Sequence, residues 1–303
     1  MKLSKAWNTK VQRLPSSVAI TYSYLFEQHN EIGDCPIDGI ELLTDSSLAA
    51  GFYEIKSLFT KQYIKANEKQ PYKVSYSLGC ITVMLESIFP CVPPVKIKIN
   101  PSKGGLSPKQ LYEWCRFLVT DVQRIFVKKV DTKLDFFGLD PYECMNKIWW
   151  CSDFRKIDEE YFEKGTLYLG STHSKIRIRI YDKGKEQGKS IVWTRIETTR
   201  SYDKKEQMTL GTFLNRVTEL KLFEEVILVN AAAKDINDIL RQYNVQAINN
   251  GKYSMIATLK QLDVRKRNRV IRALDKIGFV NSLLLQYQDA ILKWRKQDNE
   301  SFL

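Results

Sequence analysis

The segment Lys175-Ile176-Arg177-Ile178-Arg179-Ile180-Tyr181-Asp182 alternates apolar and polar residues along its length, and no other stretch constrains the fold as tightly. A period of two is that of a pleated strand, so Ile176, Ile178 and Ile180 enter a core while Arg177, Arg179 and Tyr181 share the opposite face. A phenol therefore stands in line with two guanidinium groups. The next alternating run, Trp193-Thr194-Arg195-Ile196-Glu197-Thr198-Thr199-Arg200, puts Arg195 and Glu197 on one face by the same rule. The connection from Lys183 to Ser190, with Gly184 and Gly188, suits a long hairpin loop and predicts antiparallel neighbours. An earlier strand through Lys133-Leu134-Asp135-Phe136 offers Asp131, Lys133 and Asp135 on its polar side.

Two textures divide the rest of the chain. Short runs at 72–76, 80–85, 95–100, 132–137, 166–169, 175–182 and 191–199, bounded by Gly, Pro and Asn, read as strands. From Pro108 to Lys129 the apolar residues fall at helical spacing behind Ser107 as N-cap and Pro108 in the first turn. Beyond about residue 204 the period is helical throughout, at 210–228, 232–243, 253–262, 265–277 and 280–295. These patterns predict an α+β protein. Residues 1–203 would form an antiparallel-rich sheet with packed helices, and residues 204–303 an all-helical region, with the boundary near Ser201-Tyr202-Asp203-Lys204-Lys205. The first 70 residues carry no pattern that assigns them.

A length of 303 residues agrees with two structural units at roughly 150 residues each. The 47 Lys and Arg against 35 Asp and Glu leave a net charge of +12, and the distribution of that charge says more than its sum. Between Lys252 and Lys276 eight basic residues face only Asp263 and Asp275, an excess suited to phosphate and unlike a merely solvated helix face with its compensating Glu. No run approaches the roughly 18 apolar residues of a membrane span, and the amino-terminal residues lack the apolar core of an export signal. The six cysteines form no C-x-x-C pair, so reduced thiols in a cytoplasmic protein are expected. Lys103-Gly104-Gly105 is a turn and no phosphate-binding loop motif is present, so no nucleotide cofactor is expected.

The polar face suits phosphodiester chemistry. A phenol with pKa near 10 needs nearby positive charge or a metal to act as a phenolate at neutral pH. Two carboxylates would hold a hard divalent cation through oxygen, and arginines beside it would clamp the phosphate and its developing charge. Cross-strand pairing on a half-exposed sheet uses the same residue types without any catalysis. Only His29 and His173 are present, far apart, so a His-hydrophobic-His metal motif is excluded.

The run from Leu169 to Gln187, with its Gly170-Ser171 turn, Arg179-Ile180-Tyr181-Asp182-Lys183 and then Glu186, resembles the active-site segment of the replication initiation factor family. These are rolling-circle initiators of small plasmids of the Rep_trans type, related to relaxases of some integrative elements. Trp193-Thr194-Arg195-Ile196-Glu197 resembles the family's W-x-R-x-E, Ile97 to Lys103 its strand ending in Asn-Pro, and Lys133-Leu134-Asp135 its R-[LI]-D strand. Lys133 stands where the family usually has Arg, and Thr199 where some members carry a second acid.

The resemblance implies an endonuclease and strand transferase in which Tyr181 attacks origin DNA, leaving a 5′-phosphotyrosine and a free 3′-hydroxyl. Arg177, Arg179 and Arg195 would assist, and Asp135 and Glu197 would hold Mg or Mn. Lys133 and Lys183 would touch the DNA near the site; outside the resemblance, the basic cluster itself predicts sequence-specific contacts to the double-stranded origin from Arg265, Lys266, Arg267, Arg269 and Arg272. A host helicase and a second copy of the chain are the further partners it implies. The same chemistry would serve a conjugative relaxase, and a non-enzymatic origin-binding regulator is the remaining alternative.

Overall fold

The computed structural model describes residues 35–150, 160–170, 173–220, 222–223, 226–228, 233–244, 262–276 and 282–298. Its strands are β1 (Ile37–Thr44), β2 (Thr60–Tyr63), β3 (Tyr72–Leu78), β4 (Ile81–Ser87), β5 (Val95–Ile99), β6 (Ile125–Phe137), β7 (Ile148–Trp150), β8 (Glu160–Glu163), β9 (Thr166–Leu169), β10 (Ile176–Asp182), β11 (Trp193–Ser201) and β12 (Val226–Leu228). The helices are α1 (Ala50–Ile55), α2 (Pro101–Gly104), α3 (Pro108–Leu118), α4 (Pro141–Lys147), α5 (Lys183–Glu186), α6 (Leu210–Arg216), α7 (Ala233–Gln242), α8 (Val264–Lys276) and α9 (Ser282–Lys296). The protein is α+β. It divides into two compact units, one of residues 1–132, 201–220 and 290–303, the other of 133–200 and 221–289.

In the first unit the strand order is β2-β3-β4-β5-β1-β6. The unassigned amino-terminal region supplies an interior strand: β1 pairs antiparallel with β5 through Ile40↔Ile99 and with β6 through Ile40↔Val130. Ile37, Ile40 and Leu42 of β1 are buried, but the register against β6 shifts between Ile37 and Gly39 and again between Glu41 and Leu42, and that irregularity hides the alternation from a sequence reading. Helix α3 starts as expected, with Ser107 and Gln110 closing a capping box, and buries Leu111, Trp114, Cys115 and Leu118. It ends at Leu118 rather than near Lys129. Val119 is already extended, a single 3₁₀ turn covers Val122–Arg124, and Ile125 and Val127 enter β6 opposite Thr44 and Leu42 of β1. β-Branched side chains favour the strand, where partners from another segment are available.

The last turns of α9 belong to this unit. Ile291 and Trp294 are fully buried, and the Trp294 indole Nε1 donates to the Leu106 carbonyl at 2.8 Å. Together with α6, this places parts of the region beyond residue 204 in the first unit and other parts in the second. The units are therefore interleaved along the chain, unlike the single boundary expected near 203.

The second unit contains the end of β6 and the order β6-β11-β10-β9-β8. The predicted hairpin is present: β10 and β11 pair antiparallel with Arg177↔Thr199, Arg179↔Glu197 and Tyr181↔Arg195 in register. Ile178, Ile180 and Ile196 are fully buried on the apolar face. Two glycines shape the approach to this hairpin. Gly170 has φ +88°, and a Cβ there would meet the Ile176 carbonyl oxygen at 2.6 Å. At Gly184 a Cβ would meet the Ile191 carbonyl oxygen at 2.1 Å, so the connection folds back through α5 only without a side chain. Beyond residue 204 the described elements are helical apart from β12, which pairs with β7 through Ile227↔Trp149. The expected helix over 210–228 is thus only α6, and the apolar run at 226–228 is too short for its period to tell strand from helix. The helix expected at 253–262 lies outside the described residues, apart from Leu262.

Candidate active site

Pleat alternation and the β10–β11 register gather the polar residues of the second unit. Trp193, Arg195 and Glu197 extend from one face of β11, Arg179 and Tyr181 lie across from them on β10, and Asp135 arrives from β6. The Tyr181 hydroxyl donates to Glu197 Oε1 at 2.6 Å. Arg179 forms an ion pair with the same carboxylate, and Arg195 Nη1 stands 3.9 Å from Glu197 Oε1. Arg195 in turn donates through Nε and Nη2 to the two oxygens of Asp135 at 2.7 and 2.9 Å, a bidentate fork. The indole Nε1 of Trp193 donates to Asp135 Oδ1 at 2.7 Å, and Phe137 stacks on that indole with centroids 5.2 Å apart.

This network is buried and balanced. Arg195 and Glu197 are only 5% and 3% exposed, so each charge depends on its partners rather than on water. Asp135 and Glu197 contribute two negative charges, Arg179 and Arg195 two positive. Burial pushes the Tyr181 phenol well above its ordinary value, and the adjacent Glu197 carboxylate raises it further, while Arg195 pulls the other way. The expectation that neighbouring arginines would favour a phenolate is therefore corrected. The phenol stays protonated and donates to Glu197, because the guanidinium groups are already neutralised by carboxylates.

The other sequence-predicted residues are placed as follows. Arg177 is half-buried with its guanidinium carbon 4.4 Å from the Tyr168 ring centroid. Lys183 opens α5, lies 5.8 Å from the Tyr181 ring centroid and pairs with Glu186. Lys133 is 8% exposed, so in this arrangement it does not offer the ammonium surface expected for DNA. Arg195, expected to clamp phosphate, is engaged with Asp135 through Nε and Nη2. On α8, Arg265, Arg269 and Arg272 are exposed at i, i+4, i+7 spacing and share a face, while Lys266 and Arg267 are half-buried. Lys266 Nζ donates to the Asn244 carbonyl at 3.3 Å, and Asp263 caps the helix from the side chain.

The expected divalent-cation ligands do not fit that task as arranged. Each carboxylate is held by a guanidinium group of the chain, and among the described residues no group of three or more His, Cys, Asp and Glu is placed to hold a metal ion. A Mg or Mn ion would have to displace Arg179 or Arg195 to gain inner-sphere oxygen ligands.

Beside Tyr181 a cavity of about 390 Å³ opens, lined by Tyr142 of α4, by the turn Lys164-Gly165-Thr166 and Tyr168, and by Arg179, Tyr181, Asp182, Lys185 and Glu186. Sequence reasoning singled out neither Tyr142, Tyr168, Lys164 nor Lys185. Tyr168 carried a readable signal: it alternates with Leu167 and Leu169, and the register sets it opposite Arg179. Tyr142 carried none, since its place depends on α4 packing against β10.

No family model matches the chain, and no curated protein matches it. Among solved structures it is similar to one titled "Structure of Rolling Circle Replication Initiator Protein from Geobacillus stearothermophilus", at 13% sequence identity, covering 81% of this chain and 97% of that one with a TM-score of 0.42.

Proposed function

We propose that the protein nicks and rejoins single-stranded DNA at an origin of rolling-circle replication, with Tyr181 as nucleophile and Glu197 as its proton acceptor. The observation that carries this reading is the 2.6 Å hydrogen bond from the hydroxyl of Tyr181, a residue in the cavity wall beside Arg179 and Lys185, to the buried Glu197 carboxylate. In the forward step Tyr181 Oη bonds to phosphorus and the bond from phosphorus to the 3′ oxygen breaks. The phenolic proton passes to Glu197 Oε1 as the new bond forms, and the departing 3′ oxygen takes a proton from water. Reversal by a 3′-hydroxyl rejoins the strand, and because one phosphodiester replaces another no nucleotide is consumed.

Lys185 lines the cavity, where it would meet the negative charge building on the phosphoryl oxygens, and Arg179, paired with Glu197 at rest, would join it as that carboxylate takes up the proton. Arg195 is a positioning residue: its fork to Asp135 fixes the floor on which Glu197 sits. The resident carboxylate–guanidinium pairs supply no metal step. The setting in replication rests on the resemblance of residues 169–187 to rolling-circle initiators. Arg265, Arg269 and Arg272 on α8 would bind the duplex origin, chiefly through phosphates, with a helicase and a second copy as further partners.

Tyr181→Phe tests the reading directly. Incubated with a panel of labelled origin-like single strands and separated under denaturing conditions, the wild type should yield a covalent protein–DNA adduct and the variant none, with duplex affinity retained within a few fold. An adduct formed by the Phe variant would remove Tyr181 as nucleophile.

A further inference from the structure

The cavity beside Tyr181 is larger than a phosphate needs. A phosphate group would occupy only the part between Arg179, Lys185 and the phenol, whereas the remaining walls are Tyr142, Tyr168 and the turn around Lys164. At about 390 Å³ the space lies near the lower end of the range for small-ligand sites, roughly 300–1,000 Å³, which suits one nucleotide. Its chemistry is mixed in a particular way. Lys185, Lys164 with Glu163 3.9 Å away, and Arg179 paired with Glu197 sit beside two phenol rings, and a single unpaired nucleotide presents an anion and an aromatic face together.

The acids in the wall do not cancel this. Asp182 Oδ1 accepts the backbone N–H of Lys185 at 2.8 Å as the cap of α5, and Glu186 is paired with Lys183. One face of the Tyr168 ring is covered by the Arg177 guanidinium. Tyr142 is 53% exposed in the same wall.

From this juxtaposition we infer that the cavity is a base-binding subsite that takes one unpaired nucleotide adjoining the attacked phosphate, with its base stacked on Tyr142. The inference rests on the proposed nicking reading for its place in the reaction, and it adds a requirement: the strand must present a base out of any stack as well as a phosphodiester. Extrusion of that base is a source of preference for single-stranded or melted DNA over intact duplex. Tyr142 is then a binding residue that never touches the reacting atoms.

The test uses the full chain carrying Tyr181→Phe, so that no strand is consumed, and two probes: a short all-thymidine strand and the same backbone with abasic sugars. Tyr142→Ala should weaken binding of the thymidine strand about ten-fold and of the abasic strand by about two-fold or less. Tyr142→Phe, which keeps the ring, should bind both probes like the parent. Equal loss on both probes, no loss on either, or the same loss in Tyr142→Phe as in Tyr142→Ala would each overturn the subsite. The ring is at the surface, so its truncation opens no core, and thermal melting of each variant checks this. Adduct formation by the Tyr181 parent is read separately. An adduct without the probe-dependent loss removes only the subsite, and probe-dependent loss without an adduct removes only the nicking reading.

Discussion

Glu197→Gln isolates the proton acceptor while keeping the shape of the side chain. The amide still accepts the Tyr181 hydroxyl, since one oxygen remains, but it can no longer take up the proton at neutral pH. A positioned general base is worth about 10²–10⁴-fold, so adduct formation should slow by that factor, equivalent to about 3–5 kcal/mol on the barrier. The structural cost should be smaller. Removing one partner of a buried ion pair costs about 3–5 kcal/mol when the other charge is stranded. Here Arg195 keeps its fork to Asp135, and the Arg179 side chain is 37% exposed and relaxes toward water, so about 1–3 kcal/mol is expected. The substitution also removes the carboxylate that raises the phenol, so the Tyr181 titration should move down toward its ordinary range, though burial keeps it above. Single-turnover adduct formation measures the rate. The difference in tyrosinate absorbance between this variant and its Tyr181→Phe double variant measures the titration. An adduct rate within a few fold of wild type would refute the proton-acceptor role, and an unmoved phenol titration would refute the electrostatic account of it.

Further predictions concern the support of the site and its partners. Asp135→Asn replaces the acceptor of the Arg195 fork with an amide that faces guanidinium N–H groups with its own, so about 3–5 kcal/mol should be lost in denaturant unfolding, more than for Glu197→Gln. Replacing Arg265, Arg269 and Arg272 by Ala should weaken duplex binding and reduce the slope of log affinity against log salt by about 0.9 for each phosphate that is no longer neutralised, measured by titration at several salt concentrations. Tyr72 is buried and its phenol is pushed up to about 12 in the folded protein, against about 10 when unfolded. A folded pKa raised in this way gives stability that is complete below about pH 10 and is lost as pH rises toward 12, so unfolding free energy should fall across that window and Tyr72→Phe should flatten the fall.

The sequence by itself determined the β10–β11 hairpin, the shared face of Arg179 and Tyr181, the shared face of Arg195 and Glu197, and the amino-terminal cap of α3. All are local: a period of two fixes which side of a strand each residue takes, and a capping box closes within four residues. Tertiary structure decided what lies outside that range. The register of β1 against β6 shifts twice, and Ile125 to Val130 leave the helical period because β1 offers them a partner. The same holds at the site. Alternation brings Tyr181 and Glu197 to one side, but only the register between strands makes Glu197 an acceptor for the phenol and turns Arg195 toward Asp135. The charge state of Tyr181 follows from that choice of partners, since burial and one adjacent carboxylate outweigh guanidinium groups already committed elsewhere. Residue type and spacing specify which groups can meet; distance and desolvation, which arise only from long-range packing, specify what they do when they meet.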